Sequence, residues 1–359
     1  MNKTFLLLVV GLALVLTLAA CAPTETQPDP AADPVVSEET PEPAAEAIVL
    51  KLGHKQTPES IEGQTLQKFA DLANEKSGGS LSVQVYPQEQ LGDTMTQIDN
   101  LFLGTQDMYA DGSEYFARYE PVFGCAAVPY LFPTADSYFE ALRGDLGATE
   151  EAAWEAAGFK NLTSERNFKR GPFRVIVATK PITTAADFAG LRMRGFDSDV
   201  YMQGYAELQA NPIVIAWTEC YLALKNGTVE AVTSPYALVY AQKFTEVAKY
   251  VTRTDEYIQD MALVMNLEKF NSLSAEHQQI LLDAANEASE WNNEYLDQYN
   301  EEMTQLMVEE HGMEYYELPL AEKQLLRTSL TSYYEDLIAK GTIPQDLYDQ
   351  LNEIAAAAQ

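Results

Sequence analysis

Two arginines lie close together in a chain that is otherwise strongly acidic. The sequence has 54 Asp and Glu residues against 23 Lys and Arg, a formal net charge of −31. Arg192 and Arg194 stand two residues apart in the stretch DFAGLRMRGFDSD (187–199). Side chains two apart on a strand share a face, and a guanidinium is a rigid fork for a carboxylate. Each arginine can therefore bind an anion in a pocket or remain a solvated surface charge.

The residue types of catalysis and metal binding lack the spacing that such sites need. The three histidines, His54, His277 and His311, are too scattered for a zinc site, and the sequence has no C-x-x-C pair. It also lacks a nucleophile elbow, a phosphate loop and a dinucleotide fingerprint. We therefore expect no catalytic residue, no metal and no cofactor, which weakens an enzyme interpretation without excluding it.

Two of the three cysteines belong to the body of the chain. Cys125 and Cys220 can form a disulfide outside the cytoplasm, or they can remain two buried thiols. Their flanking sequences, FGCAAVPY and WTECYLAL, are largely apolar. This context favours two buried thiols.

The N-terminus has the pattern of a secretory signal, because Lys3 precedes a long apolar run that ends in small residues. The last four residues of this run, LAAC (18–21), resemble the bacterial lipoprotein box, in which the cysteine carries a diacylglyceryl group. We predict a signal segment over 1–21 and lipidation at Cys21; an ordinary signal peptide or a short membrane anchor is the alternative. No other stretch has the roughly 20 apolar residues of a membrane span.

The next segment, 22–47, is acidic and rich in proline. It holds seven acidic residues, no Lys or Arg and no aromatic residue. Such a composition cannot bury enough apolar surface to fold, and proline keeps the chain extended. We predict a disordered tether between a lipid anchor and a folded body. The acidic excess of the chain argues against nucleic acid or an anionic lipid surface as a partner, so the membrane is reached through the anchor alone.

The body of the chain alternates strand and helix patterns. IVLKLGH (48–54) reads as a strand, the next segment as a helix that stops at Gly78-Gly79, and SLSVQVYP (80–87) as a half-buried strand. The alternation restarts near FRVIVATKPI (173–182) and continues to VEAVTSP (229–235). This order predicts two α/β domains with largely parallel sheets.

The order of landmarks resembles the solute-binding proteins of tripartite (TRAP) transporters, the DctP family. No single landmark carries the resemblance, but their joint order covers nearly all of 48–320. The landmarks are GHKQTPESIEGQTLQKFADLANEKSGG, VYPQEQLGD, LFLGTQDMYADGSEYF, VPYLF, GLRMRGF, NPIVIAWTECYLALKNGTVEAV, YAQKFTEVAKYVT and SLSAEHQQILLDAANEASEW.

The resemblance implies a two-lobed, periplasmic-binding-protein-like α/β fold. Hinge strands join the lobes, and a long helix crosses both of them. The segment from Ala275 to about Val308 has no Pro or Gly and suits that helix; an amphipathic helix on one lobe is the alternative. We assign 48–170 and 257–297 to lobe I, and 171–256 and 298–359 to lobe II.

The resemblance also assigns roles to the arginines. By position Arg194 makes a paired salt bridge to the ligand carboxylate, whereas Arg192 stands where the family has a solvated charge. Arg174, ahead of Pro181-Ile182, corresponds to a second arginine of the family. Trp217 stands where an aromatic residue often lines the pocket, with packing inside the lobe as the alternative.

Two departures from the family pattern bear on the ligand. Ser234 replaces an asparagine that hydrogen-bonds the ligand, so its reach is shorter. Asp111 and Glu114 make the segment after QDMY acidic, which suggests a ligand with a positive or hydroxyl-rich part, such as an amino acid, an ectoine-like zwitterion or a sugar acid. The alternative is that these acids face solvent.

Three further positions complete the predicted site. Gln56 and Thr57 lie in the first strand-to-helix loop, where the family contacts ligand. Tyr236 follows Pro235 on the hinge side and is expected to line the cleft.

The resemblance implies a monomeric extracytoplasmic binding protein that closes over a small carboxylate ligand. The closed form would deliver the ligand to a small and a large integral membrane subunit, with uptake driven by an ion gradient. One alternative is a receptor of the same fold that serves a sensor or another transporter. A second is a surface-anchored enzyme acting on an organic acid.

Overall fold

The computed structural model describes residues 47–163, 165–171 and 173–357, which form two β-sheets flanked by helices. The strands are β1 (Ile48–Gly53), β2 (Leu81–Tyr86), β3 (Met108–Asp111), β4 (Phe159–Asn161), β5 (Arg174–Ala178), β6 (Arg192–Gly195), β7 (Asn211–Val214), β8 (Ala231–Pro235), β9 (Tyr250–Arg253), β10 (Ala262–Asn266) and β11 (Glu314–Glu317). The α-helices are α1 (Ile61–Lys76), α2 (Thr94–Phe102), α3 (Ala135–Arg143), α4 (Asp145–Ala156), α5 (Asp199–Glu207), α6 (Cys220–Lys225), α7 (Leu238–Ala241), α8 (Leu267–Ser272), α9 (Ala275–Gln305), α10 (Leu320–Ser329), α11 (Thr331–Ala339) and α12 (Gln345–Ala357).

The first lobe is built on a five-stranded sheet with the order β2-β1-β3-β10-β4. β1 runs parallel to β2 and β3, whereas β10 runs antiparallel to β3 and β4. Leu50 and Leu52 of β1 are buried in one apolar cluster with Leu66 and Phe69 of α1. Ser60 begins that helix, because its hydroxyl accepts a hydrogen bond from the N–H of Gly63 at 3.0 Å. The predicted strand-helix-strand start is therefore confirmed.

The second lobe is built on a six-stranded sheet with the order β11-β9-β5-β8-β6-β7. β8 lies antiparallel to β5 and parallel to β6, so the start of β5 and the ends of β6 and β8 share one edge of the sheet. The register pairs Arg174 with Pro235 and Arg194 with Val232. Both predicted ligand arginines therefore lie toward the same edge.

Two crossing segments connect the lobes, and they run side by side. The chain passes from β4 to β5 and returns from β9 to β10. The N–H of Met261 donates to the carbonyl of Phe168 at 2.8 Å, and the N–H of Arg170 donates to the carbonyl of Gln259 at 3.2 Å. The predicted hinge strands are therefore confirmed as a paired connection.

Helix α9 has 31 residues and contacts both lobes, as predicted. Its first half buries Leu281 in the apolar cluster of the first lobe. Further along, Leu296 and Tyr299 pack with Ile61 and with Ala237 of the second lobe. The next turn, Leu306–Glu310, is π-helical and places Met307 in the core of the second lobe.

The C-terminal helices also reach both lobes. The hydroxyl of Tyr333 donates to the carbonyl of Val200 in the second lobe at 2.6 Å. The hydroxyl of the next residue, Tyr334, donates to the carbonyl of Pro129 in the first lobe at 2.8 Å. The predicted lobe boundaries, 48–170 with 257–297 and 171–256 with 298–359, stay a prediction.

The predictions for the N-terminus fall outside this description. The signal segment 1–21, the lipidation at Cys21 and all of the tether 22–47 except its last residue precede the described residues. Within the residues from 47 onward that are described, none of the helices is both long and apolar enough to span a bilayer.

Cys125 and Cys220 are both buried and both free. Cys125 packs in the large cluster shared by both lobes and the C-terminal helices, and Cys220 packs in the core of the second lobe. The prediction of two buried thiols is confirmed.

Truncation of a buried side chain on α9 tests how strongly this helix stabilises the fold. Leu281 is fully buried, so we expect Leu281→Ala to lower the free energy of unfolding by about 2–5 kcal/mol through lost burial and the cavity left behind. Glu290→Ala, at an exposed position of the same helix, should change it by less than about 0.5 kcal/mol. Urea denaturation followed by circular dichroism measures both, and equal effects would contradict the packing described for α9.

Candidate functional site

A small cavity, here called the arginine cavity, lies between the lobes at the edge where β6 and β8 end. Its free volume is about 10 Å³, the room that one water molecule needs. It opens on an outer cleft of about 380 Å³, with which it shares Tyr115, Arg194 and Trp217. The residues lining the arginine cavity are Lys55, Tyr115, Arg170, Arg174, Arg194, Trp217, Pro235, Tyr257 and Gln259.

Arg194 is the cation common to the arginine cavity and the outer cleft. Its side chain is buried, with 4% of the residue exposed, and its Nε–H donates to the carbonyl of Ile215 at 3.0 Å. The guanidinium lies 5.4 Å from the ring centroid of Phe196 and 5.5 Å from that of Trp217. Among the described residues it has no carboxylate partner, and no hydrogen bond joins its terminal nitrogens to another described residue.

Arg192 has a different environment, although it stands only two residues earlier on β6. Its side chain is 50% exposed and its Nε lies 3.4 Å from a carboxylate oxygen of Glu230. Glu230 directly precedes β8, so this ion pair lies at the edge of the sheet opposite the cavity. The prediction that Arg192 is a surface charge agrees with this position.

Arg174 is buried and held by three polar side chains. It donates to Gln259 at 2.6 Å, to the hydroxyl of Thr233 at 2.8 Å and to Glu256 at 3.4 Å. Its guanidinium also lies 4.1 Å from the ring centroid of Tyr257. Arg174 therefore lines the cavity, but most of its hydrogen-bonding capacity is used inside the protein, and its predicted contact with the ligand stays a prediction.

Asp111 is the acceptor for two of the cavity cations. Lys55 lies 2.6 Å from one of its oxygens, and Arg170 donates to the other at 2.9 Å. Arg170 also makes a bidentate contact with Glu62 at 3.0 and 3.1 Å. Burial opposes ionisation of Asp111, but the charges of Lys55 and Arg170 hold its pKa below the usual range.

Glu114 is buried beside this network and is only partly satisfied. One of its oxygens accepts a hydrogen bond from the side chain of Gln259, and the other has no partner in the described part of the chain. Burial raises the pKa of Glu114 to about 7; the charge of Arg170 opposes the shift and that of Asp111 reinforces it. The alternative that Asp111 and Glu114 face solvent is wrong, because both are buried.

The charges around the arginine cavity leave one cation without a carboxylate. Its lining holds four basic side chains, and three of them have ion pairs within the described residues. The pairs are Lys55 and Arg170 with Asp111, Arg170 with Glu62, and Arg174 with Glu256. The remaining cation, Arg194, is also the one that reaches the outer cleft. The site can therefore bind one carboxylate without displacing a protein group.

Gln56 and Thr57 lie behind the site and are buried or half-buried. Both polar atoms of the Gln56 side chain, and the Thr57 hydroxyl, have no partner in the described ranges. The carbonyl of Gln56 accepts from the N–H of Gln88 at 3.1 Å, and that of His54 accepts from Glu89 at 3.1 Å. This loop therefore holds Gln88 and Glu89, both of which have positive φ, at the rim of the outer cleft.

The other predicted site residues take different positions. Trp217 lines both the arginine cavity and the outer cleft, with its indole N–H unpartnered among the described residues. The Ser234 hydroxyl donates to the carbonyl of Pro235 at 2.8 Å. Tyr236 stacks on Phe173 and shares a 2.6 Å hydrogen bond with Thr304 of α9, on the side of the second lobe that meets the long helix.

Six residues that line the arginine cavity were not predicted as site residues from the sequence: Lys55, Tyr115, Arg170, Pro235, Tyr257 and Gln259. Lys55 directly precedes the predicted Gln56, and Tyr115 directly follows Glu114, so both lie next to positions that the motifs indicated. Tyr257 and Gln259 lie on the crossing segment between β9 and β10. That segment has no periodic pattern, and only its pairing with the other crossing segment brings these two residues to the cavity.

Comparisons with known proteins agree on one family. The model of the DctP family, described as bacterial extracellular solute-binding protein family 7, matches residues 52–341. The 2,3-diketo-L-gulonate-binding periplasmic protein YiaO of Escherichia coli K12 is 31% identical over 242 residues, which cover 67% of this chain and 73% of the relative. The C4-dicarboxylate-binding periplasmic protein DctP of Rhodobacter capsulatus is 29% identical over 296 residues, which cover 81% and 87%.

A solved structure shows the same fold. It is a TRAP periplasmic solute-binding protein of Roseobacter denitrificans with bound β-D-glucuronate. It is 22% identical, the match covers 85% of this chain and 99% of that chain, and the TM-score is 0.78. The predicted two-lobed fold is therefore confirmed.

Replacement of Glu114 tests the electrostatics of the site through pH. A carboxyl whose pKa is raised on folding destabilises the folded protein increasingly as the pH rises from its unfolded pKa to its folded pKa. Glu114→Gln keeps the acceptor for Gln259 but has no ionisable group. We therefore expect its free energy of unfolding to rise relative to that of wild type by about 1–3 kcal/mol between pH 4.5 and about 7, with no further rise above that pH. Chemical denaturation at a series of pH values measures this difference.

The control for this experiment is Glu155→Gln at an exposed position of α4. It makes the same chemical change on the surface, and its stability should follow the wild-type pH profile. A difference between Glu114→Gln and wild type that stays constant across the pH range would refute the buried environment described for Glu114.

Proposed function

The chain belongs to the DctP family of bacterial extracellular solute-binding proteins, and on this basis we propose that it captures a small carboxylate-bearing organic solute for a TRAP transporter. One observation carries the proposal. Arg194 is a buried guanidinium whose terminal nitrogens have no carboxylate partner among the described residues. Burial of an uncompensated charge is costly, and a carboxylate that reaches Arg194 from the outer cleft removes that cost.

The solute binds at the junction of the arginine cavity and the outer cleft. The arginine cavity is too small for an organic acid, whereas the outer cleft has about 380 Å³ next to Arg194. The ligand carboxylate takes both terminal nitrogens of Arg194, and Trp217 and Tyr115 supply flat walls for the rest of the molecule. A charge-assisted hydrogen bond contributes about 1.5–3 kcal/mol, and the paired geometry adds direction.

Closure of the two lobes completes the site. Tyr115 of the first lobe packs against Phe196 of the second at 4.7 Å between ring centroids. The hydroxyl of Thr218, in the second lobe, donates to Glu89 of the first at 2.6 Å. These contacts exist only while the lobes are closed, and a ligand favours closure to the extent that it binds the closed form more tightly than the open one.

The protein acts in transport as a binding protein and not as an enzyme. The relatives named above are described as binding proteins, which supports this reading. The closed, loaded form docks on a small and a large integral membrane subunit and releases its solute to them. Neither the sensor-receptor alternative nor the surface-enzyme alternative is favoured by a specific contact in the described residues.

The protein works outside the cytoplasm as a lipid-anchored monomer. Two relatives are described as periplasmic, and the sequence before residue 22 has the pattern of a lipoprotein signal. Cys21 carries the lipid, and the acidic segment 22–47 spaces the folded body from the membrane surface.

Substitution of Arg194 tests the proposed ligand contact. We expect Arg194→Ala to weaken binding on the order of a hundredfold or more, because one paired charge-assisted contact is lost. Arg194→Lys should also bind poorly, since lysine keeps the charge but not the fork. A thermal-shift screen over organic acids, sugar acids and zwitterions identifies a binder for the wild type, and calorimetry with that binder compares the variants.

The matched control is Arg192→Ala, which removes the neighbouring exposed arginine from the same strand. Its affinity should remain within about twofold of wild type, because Arg192 pairs with Glu230 at the far edge of the sheet. Unchanged affinity of Arg194→Ala would remove Arg194 from the site.

Substitution of Cys21 tests the anchor separately from ligand binding. We expect Cys21→Ser to lose the lipid, so that the protein moves from the membrane fraction to the soluble extracytoplasmic fraction. Cell fractionation with immunodetection measures the shift, and Cys125→Ser, at a buried position in the body, is the control. Incorporation of a radioactive fatty acid tests the lipid directly, and label that persists in Cys21→Ser would rule out lipidation at this residue.

A further inference from the structure

The outer cleft has opposite charges at its two ends. At its inner end Arg194 is the one basic side chain of the lining, beside Trp217 and Phe196. Three carboxylates line the remainder of the cleft. They are Glu89, Asp93 and Asp197. A ligand that places its carboxylate on Arg194 therefore extends its other end toward acidic side chains.

The three carboxylates differ in how they are held. Asp93 accepts a hydrogen bond from the N–H of Thr96 at 2.8 Å as the N-cap of α2. Its pKa is lowered first by hydrogen bonding to the Thr96 side chain and then by this bond to the N–H. Glu89 accepts a 2.6 Å hydrogen bond from Thr218 across the lobes. Asp197 is exposed and has no hydrogen-bond or ion-pair partner among the described residues. Asp197 is therefore the carboxylate that is free to accept from a ligand.

Two buried groups show independently that the cleft is built for a ligand. Only 4% of Arg194 is exposed, and it lines the cleft without a partner for its terminal nitrogens among the described residues. Trp217 has the same 4% exposure, and its indole N–H lacks a partner in the described ranges. Both groups are hydrogen-bond donors, so they favour a carboxylate at the inner end.

The remaining cations of the site cannot serve a second carboxylate. Lys55 and Arg170 are paired with Asp111, and Arg174 is paired with Glu256 and held by Gln259 and Thr233. A second ligand carboxylate would have to break one of these buried pairs, which is strongly unfavourable. At the outer end it would meet like charges.

We propose that the outer cleft selects a monocarboxylate whose far end carries hydroxyl or ammonium hydrogen-bond donors, that it rejects dicarboxylates, and that Asp197 is the specificity-determining residue. This inference rests on the proposed function, because it takes Arg194 as the carboxylate contact. Hydroxyl and ammonium groups share the ability to donate to Asp197. The second carboxylate of a dicarboxylate offers only acceptors there.

Matched pairs of acids test the selection, since the members of each pair differ only at the far end. D-galactonate and galactarate form a hydroxyl pair, and 6-aminohexanoate and adipate form an ammonium pair. We expect calorimetry on the full mature protein at pH 8 and low ionic strength to give at least about tenfold tighter binding of the monocarboxylate in one or both pairs. The preference should shrink in 1 M salt, where exposed charges are screened. The pair with the larger ratio of monocarboxylate affinity to dicarboxylate affinity identifies whether a hydroxyl or an ammonium group is the preferred donor.

Asp197→Asn tests the assignment of the residue. It should lower the ratio of monocarboxylate affinity to dicarboxylate affinity several-fold, because it removes a negative charge and leaves an amide of similar size. Asp199→Asn is the matched control: it makes the same change two residues away, at a position that lines a neighbouring cavity but not the outer cleft. Its ratio should equal that of wild type.

The outcomes separate this inference from the proposed function. Equal or tighter binding of both dicarboxylates by the wild type, no binding of any of the four acids, or an unchanged ratio in Asp197→Asn would overturn the inference. Monocarboxylate binding that survives in Arg194→Ala would instead overturn the proposed contact with Arg194. A ratio that falls in Asp197→Asn while Arg194→Ala abolishes binding supports both.

Discussion

A buried positive charge without a carboxylate partner among the described residues is the constraint on which the site of this molecule depends. The guanidinium of Arg194 is largely buried, and within the described ranges the carbonyl of Ile215 is its only hydrogen-bond acceptor. In most proteins such a charge would be paired or neutralised. Here the neighbouring cations have their own carboxylates, so none of those carboxylates is available to Arg194. The site of this solute-binding protein therefore contains one buried cation that has no carboxylate partner among the described residues.

The fold makes this imbalance possible by bringing separate pieces of chain to one point. Lys55 and Tyr115 come from the first lobe, Arg174 and Arg194 from the edge of the second sheet, and Gln259 from a crossing segment. The buried Asp111 and Arg170 tie the first lobe to the other crossing segment. Closure of the lobes thus assembles the cavity and keeps its internal pairs intact. The charge that the ligand meets depends on the relative position of the lobes.

Much of the architecture could be predicted from the sequence, because local patterns specify it. The strand and helix periods and the helix stops predicted two α/β domains. The family resemblance, carried by the order of motifs, implied the two lobes, the long helix across them and the arginines at the end of β6 and the start of β5. The pairing state of the charges could not be predicted in this way. Asp111 and Glu114 were assigned to the site from their type alone, and only the tertiary structure shows that Lys55 and Arg170 neutralise the first. Tyr236 faces α9 because the chain turns after β8. The motif that ends in Ser234-Pro235 does not specify this turn.

The adjacent tyrosines of α11 have a mechanical consequence. Tyr333 is bonded to the second lobe and Tyr334 to the first, both through main-chain carbonyls and within one turn of a rigid rod. Rotation of the lobes about an axis through α11 keeps both hydrogen bonds, whereas translation of one lobe past the other would break at least one of them. An opening motion that keeps both hydrogen bonds must therefore be a rotation about α11, a helix that itself borders a cavity next to the outer cleft through Tyr333 and Leu337.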